Sequence, residues 1–525
     1  MSGADTDDGS DLDSRNNSNA NHMTSTRLGG QALYMLLGNL FTLVVGFPLQ
    51  IFVARTLGAE SLGIFSLFDG AANLGSDLLS FGLAPALVKF IPHCLAQGDH
   101  AGVRLLIRRG TQILFIAGGL AVLAVWTLVL AKVRVPLLGS QPLVASLTAM
   151  LVPLGLLVYF MQQGLRGFME VRYMMVGTSF LQLGVKAVLT VALLKLGFGL
   201  TGYVIAVLVA TLCACLWLAL GLWRRLQSIP AVSAANTSGY QKPWRDYALV
   251  IYGGSMLGVA AGYMDRFLLG WLSGAAPVGV LMLVKQLYAL PGVFFQMFIS
   301  VASPMFSSAH ARDSGRERQH LYHLVTDWVT RLSAPLCIFL LIFPEAILTL
   351  YGSDFALAGS RALRILVAAQ MVNLAMGPLG IMLTLSGQEK FLLKLSVVEQ
   401  VLAVAGLCLL VPRYGINGAV AMIAFTMIEH NVVTYLVARM QVGLRWFDRR
   451  YLLWVLPLLF ALATAGAIRW YTAGELGAIR LILVLGMLYL VFFAVSLVQG
   501  LHEDDKNFLT HAYKRLWQEK TVSKI

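Results

Sequence analysis

Residues 55–69 read RTLGAESLGIFSLFD, and residues 271–285, which lie 216 positions later, read WLSGAAPVGVLMLVK. The same offset aligns residues 193–204, LLKLGFGLTGYV, with residues 409–420, LLVPRYGINGAV. Two blocks that share one spacing indicate an internal duplication. Because both blocks lie between strongly apolar segments, the sequence predicts a bundle of membrane helices built from two similar halves.

The composition is that of a membrane protein. Hydrophobic residues make up 58% of the 525 residues and charged residues 12%, about half the charge of a soluble domain. Many apolar windows are long enough to cross a hydrocarbon core of about 30 Å. We predict an all-α polytopic protein with fourteen transmembrane helices, near residues 31–53, 63–87, 110–131, 144–165, 173–195, 200–223, 247–271, 278–302, 327–348, 362–386, 392–411, 415–438, 451–468 and 481–500.

These helices group into two pseudo-symmetric six-helix lobes followed by two C-terminal helices. The polar, acidic start of the chain is typical of a disordered tail, and the last residues form an amphipathic stripe that suits a helix on the membrane surface, with a solvated tail as the alternative. The predicted divisions are a tail at 1–27, lobes at 28–224 and 246–440, a linker at 225–245, helices 13 and 14 at 441–500 and a second tail at 501–525.

The distribution of Lys and Arg predicts the orientation. With both termini in the cytoplasm, 27 of the 39 Lys and Arg residues fall on the inner side and nine on the outer side, as the positive-inside rule requires. The formal net charge of +13 is therefore mostly a bias toward the inner leaflet. It is no sign of a nucleic-acid partner, because aromatic and basic residues are not interleaved.

The sequence carries no catalytic signature and no cofactor motif. It lacks a phosphate-binding glycine loop, a His-Glu-x-x-His motif and a nucleophile elbow, and the five cysteines are scattered, which predicts neither a disulfide framework nor a metal site. The predicted outer loops are short, whereas polymerases and ligases of lipid-linked sugars need a large outer loop. These absences argue against an enzyme.

Five charged residues fall at one depth of the predicted bundle. Asp69, Asp265, Arg266 and Lys285 lie roughly 10 Å below the outer ends of their spans, at 1.5 Å per residue, and Lys186 lies about nine residues below the outer end of its span, in the same layer. A charge inside a membrane span indicates function by default, because exposure to lipid costs about 2.5–3.5 kcal/mol or more. We predict that these residues line a cavity shared by the two lobes.

Internal ion pairing is the alternative for this layer, for instance between Asp69 and Lys186 or between Asp265 and Lys285. Even with full pairing, three basic and two acidic residues leave one positive charge over. That excess suits an anionic ligand better than an organic cation.

A second polar group lies deeper, toward the inner side. Glu399 on span 11 and Glu429 and His430 on span 12 share one depth, and a carboxylate beside a second carboxylate or a His suits coupling to a proton or sodium gradient. The alternative is a hydrogen bond that fixes helix packing. Asp77 in span 2 is a further candidate for ion coupling.

Proline and glycine interrupt several spans, at residues 46–48, 291–292 and 377–378. A proline removes a backbone hydrogen bond and bends the helix. Bends of this kind would let one half rock against the other, although static packing explains them equally well.

The chain resembles the polysaccharide flippases of the multidrug/oligosaccharidyl-lipid/polysaccharide exporter superfamily. The resemblance rests on RTLG at 55–58, LGIF at 62–65 and YGINGA at 414–419, together with fourteen spans and the repeat. It covers roughly residues 28–500 in architecture. The second copy of the first motif departs from the pattern, with Trp271 in place of Arg55.

This resemblance implies translocation of an undecaprenyl-pyrophosphate-linked oligosaccharide from the inner to the outer leaflet of a bacterial cytoplasmic membrane. It implies a cationic central cavity, which matches Lys186, Arg266 and Lys285, and no catalytic residue or cofactor. The expected partners are the lipid-linked oligosaccharide, membrane lipids, a polysaccharide polymerase and a chain-length regulator. Two alternatives stay open: a multidrug or cation antiporter, and a lipid II flippase.

Overall fold

The computed structural model of the protein describes residues 9–131, 141–230, 241–312, 315–472, 476–500 and 505. Within these ranges every regular element is a helix. The first part of the chain forms α1 (Gly9–Leu79), α2 (Leu83–Ala96), α3 (His100–Leu130), α4 (Pro142–Ala149), α5 (Leu151–Gly167), α6 (Val171–Met175), α7 (Leu183–Lys195), α8 (Gly199–Gln227) and α9 (Gln241–Ser273). The rest forms α10 (Ala275–Ala289), α11 (Gly292–Ala311), α12 (Gly315–Ile342), α13 (Pro344–Thr349), α14 (Ser353–Met376), α15 (Leu379–Leu385), α16 (Glu389–Tyr414), α17 (Ile416–Val442), α18 (Val455–Thr472) and α19 (Ala478–Gln499).

The helices have the length and polarity of membrane spans. In the described ranges, eleven helical segments are long and apolar enough to cross a bilayer, and α10 with the first part of α11 forms a twelfth, broken span with a bend of 48°. The all-α membrane fold is therefore confirmed, and the number fourteen stays a prediction. The bend lies at Pro291–Gly292, one of the interruptions noted in the sequence.

Helix α1 contains two of the predicted spans. They are separated at Gly58, whose φ of 75° and ψ of 174° are not helical. An L-residue with a side chain rarely adopts a positive φ, so glycine is required at this break. Helix α1 begins at Gly9, inside the segment predicted to be a tail, and the predicted C-terminal tail lies outside the described residues except for Asp505.

The chain divides into two compact units. Unit 1 comprises residues 1–57 and 67–263, and unit 2 comprises residues 58–66 and 264–525. Unit 1 has a core of fully buried side chains from α2, α5 and α8, among them Leu87, Phe160 and Leu218. The predicted linker at 225–245 precedes the observed division, and the predicted lobe boundaries stay predictions.

A close helix crossing lies in unit 2, between the start of the second predicted span and α10. A Cβ atom added at Gly63 would overlap the carbonyl oxygen of Ala275, and one added at Gly279 would overlap the carbonyl oxygen of Ala59. Small residues four apart let helix backbones approach this closely in membranes. The sequence at residues 59–63 and 275–279 thus explains the crossing directly.

The fifth predicted span contains a π-helix. Residues Val176–Gln182 form this segment between α6 and α7, and the whole stretch Val171–Lys195 acts as one apolar span. At its end, Gln182 Nε2 donates to Thr211 Oγ1 of α8 at 3.2 Å. A π segment inside an α-helix is rare and often marks a functional site.

Buried polar contacts join α18 and α19 to α12. Asp327, only 1% exposed, accepts from Trp454 Nε1 at 2.6 Å and pairs with Arg331 Nε at 3.0 Å. Arg331 also pairs with Asp505 at 2.6 Å, and Asp505 accepts from Trp328 Nε1 at 2.9 Å. Asp505 is therefore anchored on α12, and this network was not predicted from the sequence.

Candidate functional site

Two of the charged residues predicted to line a cavity, Asp265 and Lys285, form an ion pair in unit 2. Lys285 Nζ on α10 donates to Asp265 Oδ2 on α9 at 2.7 Å, and Asp265 is 7% exposed. The backbone N–H of Arg266 donates to the other carboxylate oxygen at 2.9 Å. The pairing of Asp265 with Lys285, one of the alternatives raised from the sequence, is thus present in the structure.

Arg266, the third residue of this group, has an unsatisfied hydrogen-bond donor within the described structure. Its Nε is buried and has no hydrogen-bond partner among the described residues. A buried N–H without an acceptor costs about 1–3 kcal/mol, and more when the group is charged. Of the three groups, Arg266 is therefore the one that a bound anion would satisfy.

Unit 1 carries the other two predicted cavity residues. Lys186 on α7 lies four residues beyond the π-helix, with its Nζ 5.3 Å from the centre of the Tyr203 ring. Asp69 accepts from Asn73 Nδ2 at 3.0 Å and interacts electrostatically with Lys186. The first pairing considered from the sequence is therefore electrostatic and involves further neighbours.

The structure brings three of the five residues into contact, and it relates the other two only by a longer-range electrostatic interaction. Asp69 and Lys186 lie in unit 1, and Asp265, Arg266 and Lys285 lie in unit 2. Each unit thus contributes an acidic residue and a basic residue from a different helix. The cavity shared by the two lobes stays a prediction.

The predicted ion-coupling residues of unit 2 are in contact. His430 Nδ1 on α17 lies 2.8 Å from Glu399 Oε1 on α16. Glu429 Oε2 is buried, and the Glu429 carboxyl interacts with that of Glu399. Two carboxylates and an imidazole in one apolar helix pair can share a proton, whereas no group of three His, Cys, Asp or Glu residues within the described ranges is placed to hold a metal ion.

Asp77, the fourth candidate for ion coupling, belongs to unit 1 and lies apart from that cluster in the sequence and in its contacts. Its Oδ2 accepts from the hydroxyl of Tyr263 at 3.0 Å. Tyr252, on the same helix α9, donates to the carbonyl oxygen of Leu78 at 2.6 Å. These two bonds join the middle of α9 to the end of α1, so the structure gives Asp77 a packing contact.

Three residues with neutral amide side chains also contact one another, and they were not predicted from the sequence. Asn431 on α17 donates to Asn373 on α14 at 2.9 Å, and Asn373 donates to Gln370 at 3.4 Å. Asn431 directly follows His430 along α17. Amide residues inside apolar spans were a visible signal, because polar side chains at this depth seek partners on other helices.

Unit 2 also contains an apolar cavity of about 790 Å³. It lies between α11, α12 and α19, with walls that include Phe294, Met297, Leu324 and Phe493, and Arg331 at one end. Its size and lining suit hydrocarbon. This cavity was not predicted from the sequence, because its apolar lining residues are of the same types as those that face lipid in other membrane helices.

A family model described as "Polysaccharide biosynthesis protein" matches residues 28–310, more than half of the chain. The chain belongs to this family. The match confirms the resemblance noted from RTLG, LGIF and the repeat. No curated protein matches the chain.

Solved structures share the fold of this member of the polysaccharide biosynthesis family. An inward-facing multidrug resistance MATE transporter of the MOP superfamily is 18% identical, with a TM-score of 0.63 over 77% of this chain and 94% of that one. The lipid II flippase MurJ in an inward closed conformation is 12% identical, with a TM-score of 0.64 over 88% and 98%. A MOP superfamily transporter from Pyrococcus furiosus is 17% identical, with a TM-score of 0.57 over 78% and 94%.

At these identities the likeness shows the fold alone. Family and fold together support a multi-pass membrane transporter or flippase of the MOP superfamily. Proteins of this kind move their cargo without making or breaking its covalent bonds.

Proposed function

We infer that the protein is a flippase that moves an undecaprenyl-pyrophosphate-linked oligosaccharide across the bacterial cytoplasmic membrane. The cargo would serve the biosynthesis of an exopolysaccharide or an O-antigen-type polysaccharide. Movement would occur by alternating access, with cationic side chains lowering the barrier for the pyrophosphate. In this arrangement both termini lie in the cytoplasm, and a polymerase and a chain-length regulator act on the product.

The observation that carries this proposal is the state of Arg266. Lys285 is neutralised by Asp265 at 2.7 Å, while the buried Nε of Arg266 has no acceptor among the described residues. With Lys285 paired to Asp265, the group of these three residues would keep one basic side chain for a pyrophosphate. A guanidinium also matches phosphate oxygens in geometry and can bind two of them at once.

The apolar cavity of unit 2 supports a cargo with a hydrocarbon tail. Its volume of about 790 Å³ and its lining of Phe, Met and Leu side chains can hold part of an isoprenoid chain. A sugar-pyrophosphate head needs polar surroundings, but its lipid tail can stay in apolar ones. The two features together fit an amphiphile better than a water-soluble drug.

A multidrug or cation antiporter is the second candidate. The contact of His430 with Glu399 at 2.8 Å and the interaction of Glu429 with Glu399 favour it, because paired acidic groups in an apolar helix pair can bind a cation or a proton. A lipid II flippase would need the same charges as the proposed function and differs only in its cargo.

Rescue of bacterial strains that lack defined flippases tests the proposal. We expect the wild-type gene to restore surface polysaccharide in a strain without its oligosaccharide flippase. Arg266→Ala should lose this rescue while the membrane level of the protein stays normal, and Arg361→Ala, at an exposed position of α14, should keep it. Rescue by Arg266→Ala equal to wild type would contradict the assigned site.

The same strains distinguish the alternatives. Restored growth of a strain that lacks only its lipid II flippase would assign the lipid II cargo. Resistance to organic cations without any rescue would assign the antiporter. The three readings therefore predict three different phenotypes.

A further inference from the structure

A chain of hydrogen-bonded amides crosses from α17 to α14 inside unit 2. Asn431 Nδ2 donates both to Asn373 Oδ1 at 2.9 Å and to the carbonyl oxygen of Met427 at 2.8 Å. Asn373 Nδ2 donates in turn to Gln370 Oε1 at 3.4 Å. Each amide of the chain is thus oriented by at least one neighbour, and both hydrogens of Asn431 Nδ2 are used.

One end of the amide chain adjoins the acidic cluster. Asn431 follows His430 directly, and His430 contacts Glu399 at 2.8 Å. Successive side chains of an α-helix point about 100° apart around its axis. One turn of α17 therefore contacts α16 through His430 and α14 through Asn431.

The other end reaches the broken span. A Cβ atom added at Gly292 would lie 3.1 Å from Gln370 Nε2, so this amide lies directly against the first residue of α11. The preceding carbonyl oxygen, that of Pro291, accepts from Ser333 Oγ at 3.1 Å. The 48° bend between α10 and α11 is thus contacted from α12 and from the amide chain, and α10 carries Lys285.

Two of the three amides are poorly placed to contact water, whereas Asn373 between them is half-buried. Asn431 is 5% exposed and Gln370 is 6% exposed. In apolar surroundings an amide without a partner is costly, so the three side chains keep their mutual bonds when one of them moves. A displacement of α17 at residues 430 and 431 would therefore shift Gln370 against Gly292.

We propose that Gln370, Asn373 and Asn431 are positioning residues that transmit the occupancy of the Glu399, Glu429 and His430 cluster to the bend at Pro291–Gly292. Binding of a proton or a sodium ion at the cluster changes the contact of α16 with α17. The amide chain carries this change to α14 and to the bend, which alters the angle between α10 and α11. The inference rests on the ion-coupling role that the sequence predicts for Glu399, Glu429 and His430, and it extends the proposed function by that role.

The charged groups around the cluster do not provide a competing route. The side chains of α14 in the chain, Gln370 and Asn373, are neutral, and α15 has no charged residue. On α10, Lys285 is paired with Asp265. The other charged residues of α16 and α17 lie toward the helix ends, at Glu389, Lys390, Lys394, Arg413 and Arg439.

A distance measurement across the bend tests the inference. Spin labels are placed at Ala276 and Ser300 of the full-length protein, in which Cys213 and Cys408 are replaced by Ser. The distance between the two labels is measured in lipid nanodiscs by double electron–electron resonance. The measurement is made at low and high pH, and with and without sodium chloride. We expect the labelled protein to shift its distance with one of these cations. Asn373→Leu should lose the shift.

The matched control is Asn417→Leu, the same change on α17 at a side chain whose Oδ1 has no partner in the described structure. It should keep the full cation-dependent shift. Gln370→Met is a second variant that interrupts the chain at its other end, in case Asn373→Leu does not yield monodisperse protein. If the amides only stabilise packing, the melting temperature of Asn373→Leu falls but the shift remains, and the inference is wrong.

An unchanged distance in the otherwise wild-type labelled protein under every cation condition would also overturn the inference. No cargo is present in this measurement. Failure of the rescue experiment would therefore remove the proposed function while a cation-dependent shift that needs Asn373 still stood, so the two failures are distinguishable.

Discussion

Gly63 and Gly279 occupy equivalent positions in the two sequence repeats, and they lie against each other at a helix crossing in unit 2. A Cβ atom at Gly63 would lie 3.0 Å from the backbone nitrogen of Gly279, and one at Gly279 would lie 2.8 Å from that of Gly63. Ala59 and Ala275 are equivalent as well, and each of them lies against the glycine of the other repeat. The duplicated motif therefore packs against its own copy.

Enlarging either glycine should separate these helices. We expect Gly63→Leu and Gly279→Leu each to destabilise the protein by about 1–3 kcal/mol or more, because the added atoms overlap backbone rather than flexible side chains. The melting temperature in detergent measures the effect. Gly119→Leu on α3, where a Cβ meets nothing within 4 Å, is the control, and equal melting temperatures for all three variants would contradict the close crossing.

The pair of Asp265 and Lys285 should show separate effects on stability and on transport. Lys285→Ala leaves a buried carboxylate unpaired, a change that costs about 3–5 kcal/mol in a fully buried pair and less here, because the Lys285 side chain is 25% exposed. The double variant Asp265→Asn with Lys285→Met should recover the melting temperature but not flipping. Wild-type flipping by the double variant would show that the pair serves packing alone.

Glu399 should control the dependence of transport on an ion gradient. Glu399→Gln removes the carboxylate that contacts His430 at 2.8 Å, so we expect proteoliposomes with this variant to lose the stimulation by an imposed proton or sodium gradient. Glu389→Gln, at an exposed position on the same helix, should retain it. Retained stimulation in Glu399→Gln would assign the contact to helix packing.

Arg331 should stabilise the polar network that joins α12 to Trp454 and Asp505. Arg331→Met leaves Asp327, which is 1% exposed, without its cationic partner, and breaking a buried ion pair in this way costs about 3–5 kcal/mol. Adding Asp327→Asn should restore part of the loss. The comparison variant is Arg316→Met at an exposed position of α12. Equal melting temperatures for Arg331→Met and Arg316→Met would refute the network.

Counting residues along the helices predicts the level of two charged residues relative to each other, but not the direction in which their side chains point. Counting residues from the span ends placed Asp265 and Lys285 at one level, and the structure joins them at 2.7 Å. Depth follows from the constant rise of a helix, but the direction of a side chain around the helix axis depends on which neighbour packs there. For this reason the sequence allowed two interpretations of the same charged residues: ion pairs with one another, or side chains that line a cavity.

Neutral polar residues were overlooked for a related reason. Asn373 and Asn431 lie within predicted spans, yet a search for charges passes over them. Their role depends on two helices, α14 and α17, meeting at one level, and this contact is set by tertiary packing. The anchoring of Asp505 on α12 was equally hidden, because it joins residues more than 170 positions apart.

The π-helix at Val176–Gln182 changes what equivalence between the repeats means. The offset of 216 residues pairs Lys186 with Leu402, and the counterpart of the π segment lies within the continuous helix α16. A π segment holds one residue more than an α-helical turn, and one residue corresponds to about 100° of rotation. Matched positions in the two copies can thus share a level in the bilayer and still face different neighbours, which lets a symmetric ancestor acquire an asymmetric interior without any change in chain length.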